Sequence, residues 1–534
     1  MDNATQSSDP QPEDNATPLS QNKRILSAAV LLATGNIIQR LLGMAREIVK
    51  ANLFGASGTL AAYNLAALVP NTFYQLIAGG EMITSSLVPV FSDYVAQAKR
   101  EELWAAFSTF LSIVTLVLLA AVALIELFAP QVAWLVGADN LQDPELLPLT
   151  IALMRWTTPV MLFLSISSVI TAVLYALQRF TLPAFTIATF NAAIILVALL
   201  NQDNIFSLAW GMLLGSFLMI LLQLPALRDA TVRFQLNWRH PVVRRILALY
   251  APIVLGLLVN QAGILIGYNL ATRTGDESVT YMSYSTTLYQ LPLGLVVMGL
   301  STATLPMLSQ QANRNLKAFK ETLAQGLRLV LALILPAAAG LFALALPIIQ
   351  LLFLHGEFTA QDSFVTSQVL RVDLIGLPFA AVDQMLVYAS YARKDTLRPA
   401  LAGVVSVIFY IVLAQWLIGP FGLLGLMAAN ASKLVLHAAI MIWLLNYQLG
   451  GLRGHGVTMI GLKALTAAVA TGITALLVYQ ALLTFIEPTT LAYKLVLVTI
   501  PGVIGAAVYL ACAWFLKIEE FLSFIHMIQN RLNR

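Results

Sequence analysis

Residues 103–136 read LWAAFSTFLSIVTLVLLAAVALIELFAPQVAWLV, a run in which Glu126 is the one charged side chain. About 20 consecutive apolar residues cross the hydrocarbon of a bilayer as a helix, so this stretch is long enough to span it. The rest of the chain carries the same message. Of 534 residues, 59% are hydrophobic and 10% charged, against about 25% charged in a soluble domain; the mean hydropathy is +0.81. These values exclude a soluble globular protein. They predict an all-α polytopic membrane protein, because helices satisfy their own backbone hydrogen bonds in lipid. A net charge of +4, scattered along the chain, offers no nucleic-acid surface, and the single cysteine, Cys512, excludes a disulfide framework or a thiolate metal cluster.

Apolar stretches between polar breaks number fourteen, at 25–45, 60–92, 103–136, 147–177, 181–200, 205–227, 244–271, 278–310, 320–354, 363–392, 397–418, 421–446, 459–485 and 490–516. Prolines 70, 159, 292 and 378 lie inside them, which predicts kinks or tilt. Residues 1–22 are polar, acidic and proline-containing, the composition of a disordered tail, and no basic segment leads into a short apolar core as in a signal peptide. Cytoplasmic connections of membrane proteins gather Lys and Arg. Here alternate connections hold twenty-one of them, five as Arg228, Arg233, Arg239, Arg244 and Arg245, against Lys50, Arg273 and Lys494 on the other side. That bias argues for fourteen spans with both termini in the cytoplasm.

The chain also echoes itself. Thr72-Phe73-Tyr74-Gln75-Leu76 with Gly79 recurs as Thr287-Leu288-Tyr289-Gln290-Leu291 with Gly294; Arg155 recurs as Arg371, and Tyr175-Ala176 with Pro183-Ala184 as Tyr391-Ala392 with Pro399-Ala400, all near an offset of 216. An even number of spans per repeat gives both copies one orientation. The division expected is a cytoplasmic tail over 1–22, an N-lobe of six helices over 23–230, a C-lobe of six over 231–450, and two further helices with a cytoplasmic terminus over 451–534. Two such bundles can rock around a central cavity, and one chain then supplies a complete pathway as a monomer.

No catalytic constellation or cofactor motif stands out. The five histidines fall in no zinc-binding spacing, no phosphate loop of the GxxxxGK[ST] kind is present, and spacing assigns no sodium or proton site. A transporter is expected, not an enzyme. Ionisable residues inside spans are the informative ones, since a charge in hydrocarbon normally faces a cavity or a partner. Arg40 and Arg46 share a broad face of the first span, followed by Glu47 and Lys50; Asn64, Asn71, Gln75 and Glu81 make a polar stripe on the second; Arg155, Arg371, Asp373, Asp383 and Lys433 lie further along. One reading is a cationic cavity for an anionic substrate. The other has Arg46 and Glu47 snorkelling at an interface and Arg371 neutralised by Asp373, with Lys433 left without an evident acid.

These residues belong to a wider pattern. Arg40-Leu41-Leu42-Gly43-Met44-Ala45-Arg46-Glu47, then Phe54-Gly55-Ala56, Val69-Pro70-Asn71, Leu87-Val88-Pro89-Val90-Phe91, and later Leu352-Phe353-Leu354-His355-Gly356-Glu357-Phe358-Thr359, resemble the motifs of the MurJ (MviN) lipid II flippases. The resemblance runs over about residues 25–450. It implies fourteen helices in the two-lobe fold of the MOP exporters and transport of an undecaprenyl-pyrophosphate-linked disaccharide-pentapeptide across the bacterial inner membrane, the polyprenyl tail staying in lipid along the last two helices. It further implies that Arg40 and Arg46 open into an inter-lobe cavity, with Arg155, Arg371 or Lys433 adding charge and Asn71, Tyr74, Gln75 and Gln290 lining it. The chain departs from the family where Ala61 replaces an acid and where Tyr74, Gln75 and Thr287 stand at arginine positions. Those departures keep two alternatives open: an exporter of another polyprenyl-linked glycan or small molecule, and a membrane scaffold without transport.

Overall fold

The computed structural model describes residues 18–77, 79, 82–312, 314–452, 454–487 and 490–518, and among these every regular element is helical. The first half comprises α1 (Pro18–Phe54), α2 (Gly58–Ile77), a π-turn (Ile83–Leu87), α3 (Val88–Ala96), α4 (Arg100–Leu127), α5 (Ala129–Leu135), α6 (Leu146–Thr157), α7 (Val160–Ala176), α8 (Thr186–Leu200) and α9 (Phe206–Gln223). The second comprises α10 (Pro241–Thr272), α11 (Ser278–Pro292), a π-turn (Leu293–Val297), α12 (Met298–Gln311), α13 (Leu316–Ala343), α14 (Ala345–Leu352), α15 (Ala360–Ala392) and α16 (Leu397–Leu449), followed by α17 (Val457–Leu483) and α18 (Leu491–Phe515).

Ten helical segments among the described residues are long and apolar enough to cross a membrane. Several expected boundaries moved. α1 begins at Pro18, inside the expected tail, while residues 1–17 and Glu81 lie outside the described residues. The stretches at 397–418 and 421–446 join as one helix broken at Gly422, whose φ of 54° and ψ of −132° suit glycine alone. Lys50 and Lys494, assigned from the sequence to connections, instead lie buried in α1 and α18. Lys494 donates to the Leu354 carbonyl at 2.9 Å.

Packing follows the small and apolar faces. α2 is buried along Leu60–Val69 and lies against α6 and α7, while α8 packs on α1 and α9. In the second half α15 packs on α11, α13 and α16, and α17 bridges α13 to α18. Contacts between the halves run mainly from α10 and α11 onto α2 and its π-turn.

Prolines within helices are tolerated because neighbours replace what they remove. Proline lacks the N–H that would bond the carbonyl four residues back. For Pro70 that carbonyl belongs to Ala66, and the Thr157 hydroxyl of α6 donates to it at 3.1 Å. For Pro336 it belongs to Ala332, and the buried Tyr509 hydroxyl of α18 donates to it. Tyr509→Phe leaves that carbonyl unpaired, which costs about 1–3 kcal/mol. A lowered thermal unfolding midpoint in detergent is therefore expected, and an unchanged midpoint would contradict this account.

Candidate substrate-translocation site

The spacing of α1 places one carboxylate between two cations. Arg46 donates through Nε (3.0 Å) and Nη2 (2.8 Å) to one oxygen of Glu47, and Lys50 Nζ donates to the other at 2.8 Å. Lys50 also donates to Asn64 Oδ1 at 3.2 Å and sits 5.5 Å from the centre of the Tyr63 ring. The remaining Arg46 nitrogen, Nη1, donates to Asn191 Oδ1 of α8 at 3.0 Å. Two cations on one anion leave the cluster net positive. Glu47 and Lys50 are almost fully buried, whereas the Arg46 side chain keeps 30% of its surface. Tyr268 and Tyr284 of the second half lie within electrostatic reach of Glu47, so the cluster stands at the junction of the halves.

Arg40 crosses that junction. Its guanidinium lies so close to Gly294 that a Cβ there would stand 2.5 Å from Nη2 and 2.6 Å from Nη1. Glycine at 294 leaves the guanidinium room to lie against the backbone of the second half, and a side chain there would displace it. The preceding Leu293, together with Gln290 and Lys433, lines a cavity of about 570 Å³ enclosed by α10, α11, α15 and α16. His437 and Asp383 pair in its wall at 2.6 Å between Nδ1 and Oδ1. Lys433 Nζ lies 5.0 Å from the centre of the Tyr410 ring and within electrostatic reach of Asp373, which accepts from Asn430 Nδ2 at 3.1 Å.

The structure thus sets Arg40 against Gly294, one turn from Gln290, while the cavity that Gln290 and Lys433 line is built wholly from the second half and includes neither Arg40 nor Arg46, which lies about two turns along α1. Arg371, Arg155 and Tyr74 are placed elsewhere. Arg371 and Asp373, two apart on a helix, point away from each other; Arg371 donates to the Phe342 carbonyl at 3.2 Å and lines a separate apolar groove of about 820 Å³ between α13, α15 and α17. The acid near Lys433 is thus Asp373, and the Arg371–Asp373 neutralisation does not form. Arg155 is exposed on α6 beside Glu126. Asn71 and Gln75 are exposed one turn apart on α2, just past its buried stretch Leu60–Pro70, but the Tyr74 hydroxyl is engaged by Ser168 at 3.2 Å. Sequence reasoning missed Asn191 and the Asp383–His437 pair, whose members are 54 positions apart and carry no spacing signal.

Closure is unequal at the two ends. Where α1 turns into α2, Glu357 N donates to the Asn52 carbonyl (3.0 Å), Tyr284 Oη to the Gly55 carbonyl (3.0 Å) and Thr280 Oγ1 to the Ser57 carbonyl (3.3 Å). Beside them the Asp276 carboxylate accepts from Gln142 N at 2.6 Å and Asp143 N at 3.2 Å, and Asn269 Nδ2 donates to the Leu135 carbonyl at 3.1 Å. At the other end an exposed Arg245–Asp93 ion pair and a bond from Tyr250 Oη to the Leu76 carbonyl at 3.1 Å join the halves.

Comparison with known proteins agrees with this arrangement. The family model described as lipid II flippase MurJ matches residues 50–496. A probable lipid II flippase MurJ of Vibrio cholerae is 31% identical over 84% of this chain and 89% of its own, and one of Bdellovibrio bacteriovorus is 30% identical over 81% and 84%. Among solved structures, a lipid II flippase MurJ in an inward closed conformation superposes with a TM-score of 0.76 at 24% identity, covering 91% of this chain and 99% of its own. An inward-facing multidrug transporter of the MATE family, in the MOP superfamily, superposes at 0.68 with 15% identity, covering 80% and 99%. The fold is accordingly that of the MOP superfamily, in a multi-pass inner-membrane protein. With its family model matched over most of its length, the chain belongs to the MurJ lipid II flippase family, a family of transporters and not of enzymes.

Proposed function

We propose that this protein moves lipid II across the cytoplasmic membrane by alternating access, its pyrophosphate held between the lobes by Arg40 and Arg46. The observation that carries the reading is the placement of Arg40: a guanidinium from the first half lies on the backbone of the second, beside the cavity containing Gln290 and Lys433. Pyrophosphate needs several charge-assisted donors, and the planar fork of arginine supplies two at once. Asn71 and Gln75 from one half and Gln290 from the other offer amides to sugar or peptide. The apolar groove between α13, α15 and α17 suits a polyprenyl tail, with Arg371 at its wall. Fourteen spans, as two like-oriented repeats of six plus α17 and α18, both termini cytoplasmic and the protein monomeric, complete the reading. The π-turns that follow each echoed segment, at 83–87 and 293–297, support the repeat.

The test is depletion in the native cell, followed by measurement of lipid II in each leaflet. Accumulation in the cytoplasmic leaflet is expected, and a normal distribution would refute the reading. The residues at the departures Ala61, Tyr74, Gln75 and Thr287 favour a second reading, export of another polyprenyl-linked glycan. That reading gains if depletion leaves lipid II unchanged and traps a different pyrophosphate-linked glycan.

Substitution of Arg46 separates binding from folding. In Arg46→Ala, Lys50 still neutralises Glu47, so a folded protein is expected whose transport falls by about ten- to a hundredfold, the worth of one charged hydrogen-bonded contact. Arg46→Lys retains part of the activity, and Arg40→Ala behaves like Arg46→Ala. Lipid-linked pyrophosphate binding by purified protein, measured alongside the unfolding midpoint, checks all three.

A further inference from the structure

The connection between the halves has a chemistry that the transport reading leaves unused. Residues 230–237 form neither helix nor turn and run alongside α4: Arg233 N donates to Ser108 Oγ and Gln235 N to Ser112 Oγ, both at 3.1 Å. In an extended chain alternate side chains point to opposite faces. The Gln235 side chain also turns to α4, its Oε1 accepting from Thr109 Oγ1 at 3.3 Å, so Val232, Phe234 and Leu236, in the alternate register, face away from α4; they and Trp238, in the turn that follows, are all exposed, Phe234 to 74% and Trp238 to 54%. Four exposed apolar side chains so close together on a free edge are unfavourable in water.

Their depth follows from the helix they lie on. From Ser112 to Leu127 at the end of α4 the rise is about 22 Å at 1.5 Å per residue, and α5 continues beyond a break at Phe128 to Leu135, whose carbonyl belongs to the hydrogen-bonded closure at the far end, so the two levels are separated by a distance on the scale of the roughly 30 Å of bilayer hydrocarbon. Lipid-facing exposure on α4 also begins just past this level, at Leu116 and Val117. The linker thus lies at the polar boundary of the membrane, on the side where basic connections gather.

Charge supplies the second argument. Arg228, Arg233, Arg239 and Arg244 flank the apolar edge, all exposed, and among the described residues none is in an ion pair. The nearby acid, Asp229, is already taken: Arg179 Nη2 bonds it at 2.9 Å and Arg100 Nη1 at 3.3 Å. The Arg179 guanidinium holds the Asp229 carboxyl below the usual carboxylate range, so it stays ionised and anchors the start of the linker. Tryptophan concentrates at membrane interfaces, and clusters of arginine attract anionic headgroups.

We propose that the inter-lobe linker is a membrane strap, with Val232, Phe234, Leu236 and Trp238 inserted at the boundary of the cytoplasmic leaflet and the four arginines bound to anionic phospholipid. The strap is independent of which lipid the protein transports.

The test places single cysteines along 231–238 in the full-length Cys512→Ala protein, labels them with bimane and reconstitutes each in nanodiscs containing brominated phospholipid. Quenching at positions 232, 234 and 236, and not at 231, 233, 235 and 237, with quenching at 238 in the following turn, is the expected result. Uniform or absent quenching overturns the insertion. In the second arm, wild type and the Arg228→Gln/Arg233→Gln/Arg239→Gln/Arg244→Gln protein are extracted from vesicles of equal phosphatidylcholine and phosphatidylglycerol, and retained lipid is measured by mass spectrometry. Each basic residue at an anionic surface is worth about fivefold, so retained phosphatidylglycerol should fall about tenfold or more. Equal retention overturns the anionic-lipid assignment, as does occupation of the edge by a co-purified protein with the cysteines protected from lipid.

Discussion

Gly356→Ala is expected to open the end of the molecule that the structure shows closed. Gly356 has φ of 57°, and a Cβ there would stand 2.1 Å from the Asn52 carbonyl oxygen. That oxygen cannot withdraw freely, because it accepts the Glu357 N–H at 3.0 Å. The contact is reciprocal: Gly55, with φ of 60°, would place a Cβ 2.6 Å from the Glu357 oxygen. Two backbones from opposite halves touch where neither has a side chain. The clash exists only while the loops meet, so it burdens this state and spares the open one. Even 1–2 kcal/mol shifts such an equilibrium by about five- to thirtyfold. Ser278, buried beneath the loops, should as Ser278→Cys react with a membrane-impermeant maleimide at least about fivefold faster in the Gly356→Ala background. Gly340→Ala, where an added Cβ meets nothing within 4 Å, should leave the rate unchanged. Equal labelling of both variants would show that the glycine contact does not control closure.

The second large effect belongs to Glu47. Among the described residues its carboxylate is the sole acid bonded to both Arg46 and Lys50, and Lys50 is as buried as the acid itself. Glu47→Gln keeps the shape and removes the charge, leaving two cations unneutralised, one of them away from water. Breaking a buried pair in this way costs about 3–5 kcal/mol, whereas removing both members together is often nearly neutral. Glu47→Gln should therefore unfold at a markedly lower temperature in detergent, and Glu47→Gln/Lys50→Met should regain most of the loss. If the single substitution changes stability by less than about 1 kcal/mol, the triad does not hold α1 in place. The contrast with Arg46→Ala, which leaves Glu47 and Lys50 paired, separates the two buried members of the triad from the one whose side chain keeps 30% of its surface.

Much of the architecture was legible from consecutive residues. A helix in lipid needs only a long enough apolar run, so stretches such as 103–136 declare themselves without reference to the rest of the chain, and family motifs around Arg40 and Arg46 pointed to the right relatives. Boundaries were less legible where helices break or overrun. Lys50 read as a connection residue because nothing nearby in sequence shows that Asn64 and the Tyr63 ring receive it. Arg371 read as a cavity residue because its echo with Arg155 says nothing about which face of α15 it occupies.

What the sequence by itself determined is the membrane class, the helical segments and the chemistry available to them, since these depend on local composition and on the self-contained hydrogen bonding of a helix. Only the tertiary structure decided which charges meet. Arg40 reaches Gly294, His437 pairs with Asp383, and the Tyr509 hydroxyl finds the carbonyl that Pro336 leaves free, each across a separation in sequence that carries no periodic signal. Those partners are selected by close packing of whole helices, in which a glycine, a hydroxyl or a buried carboxylate matters through what stands opposite it.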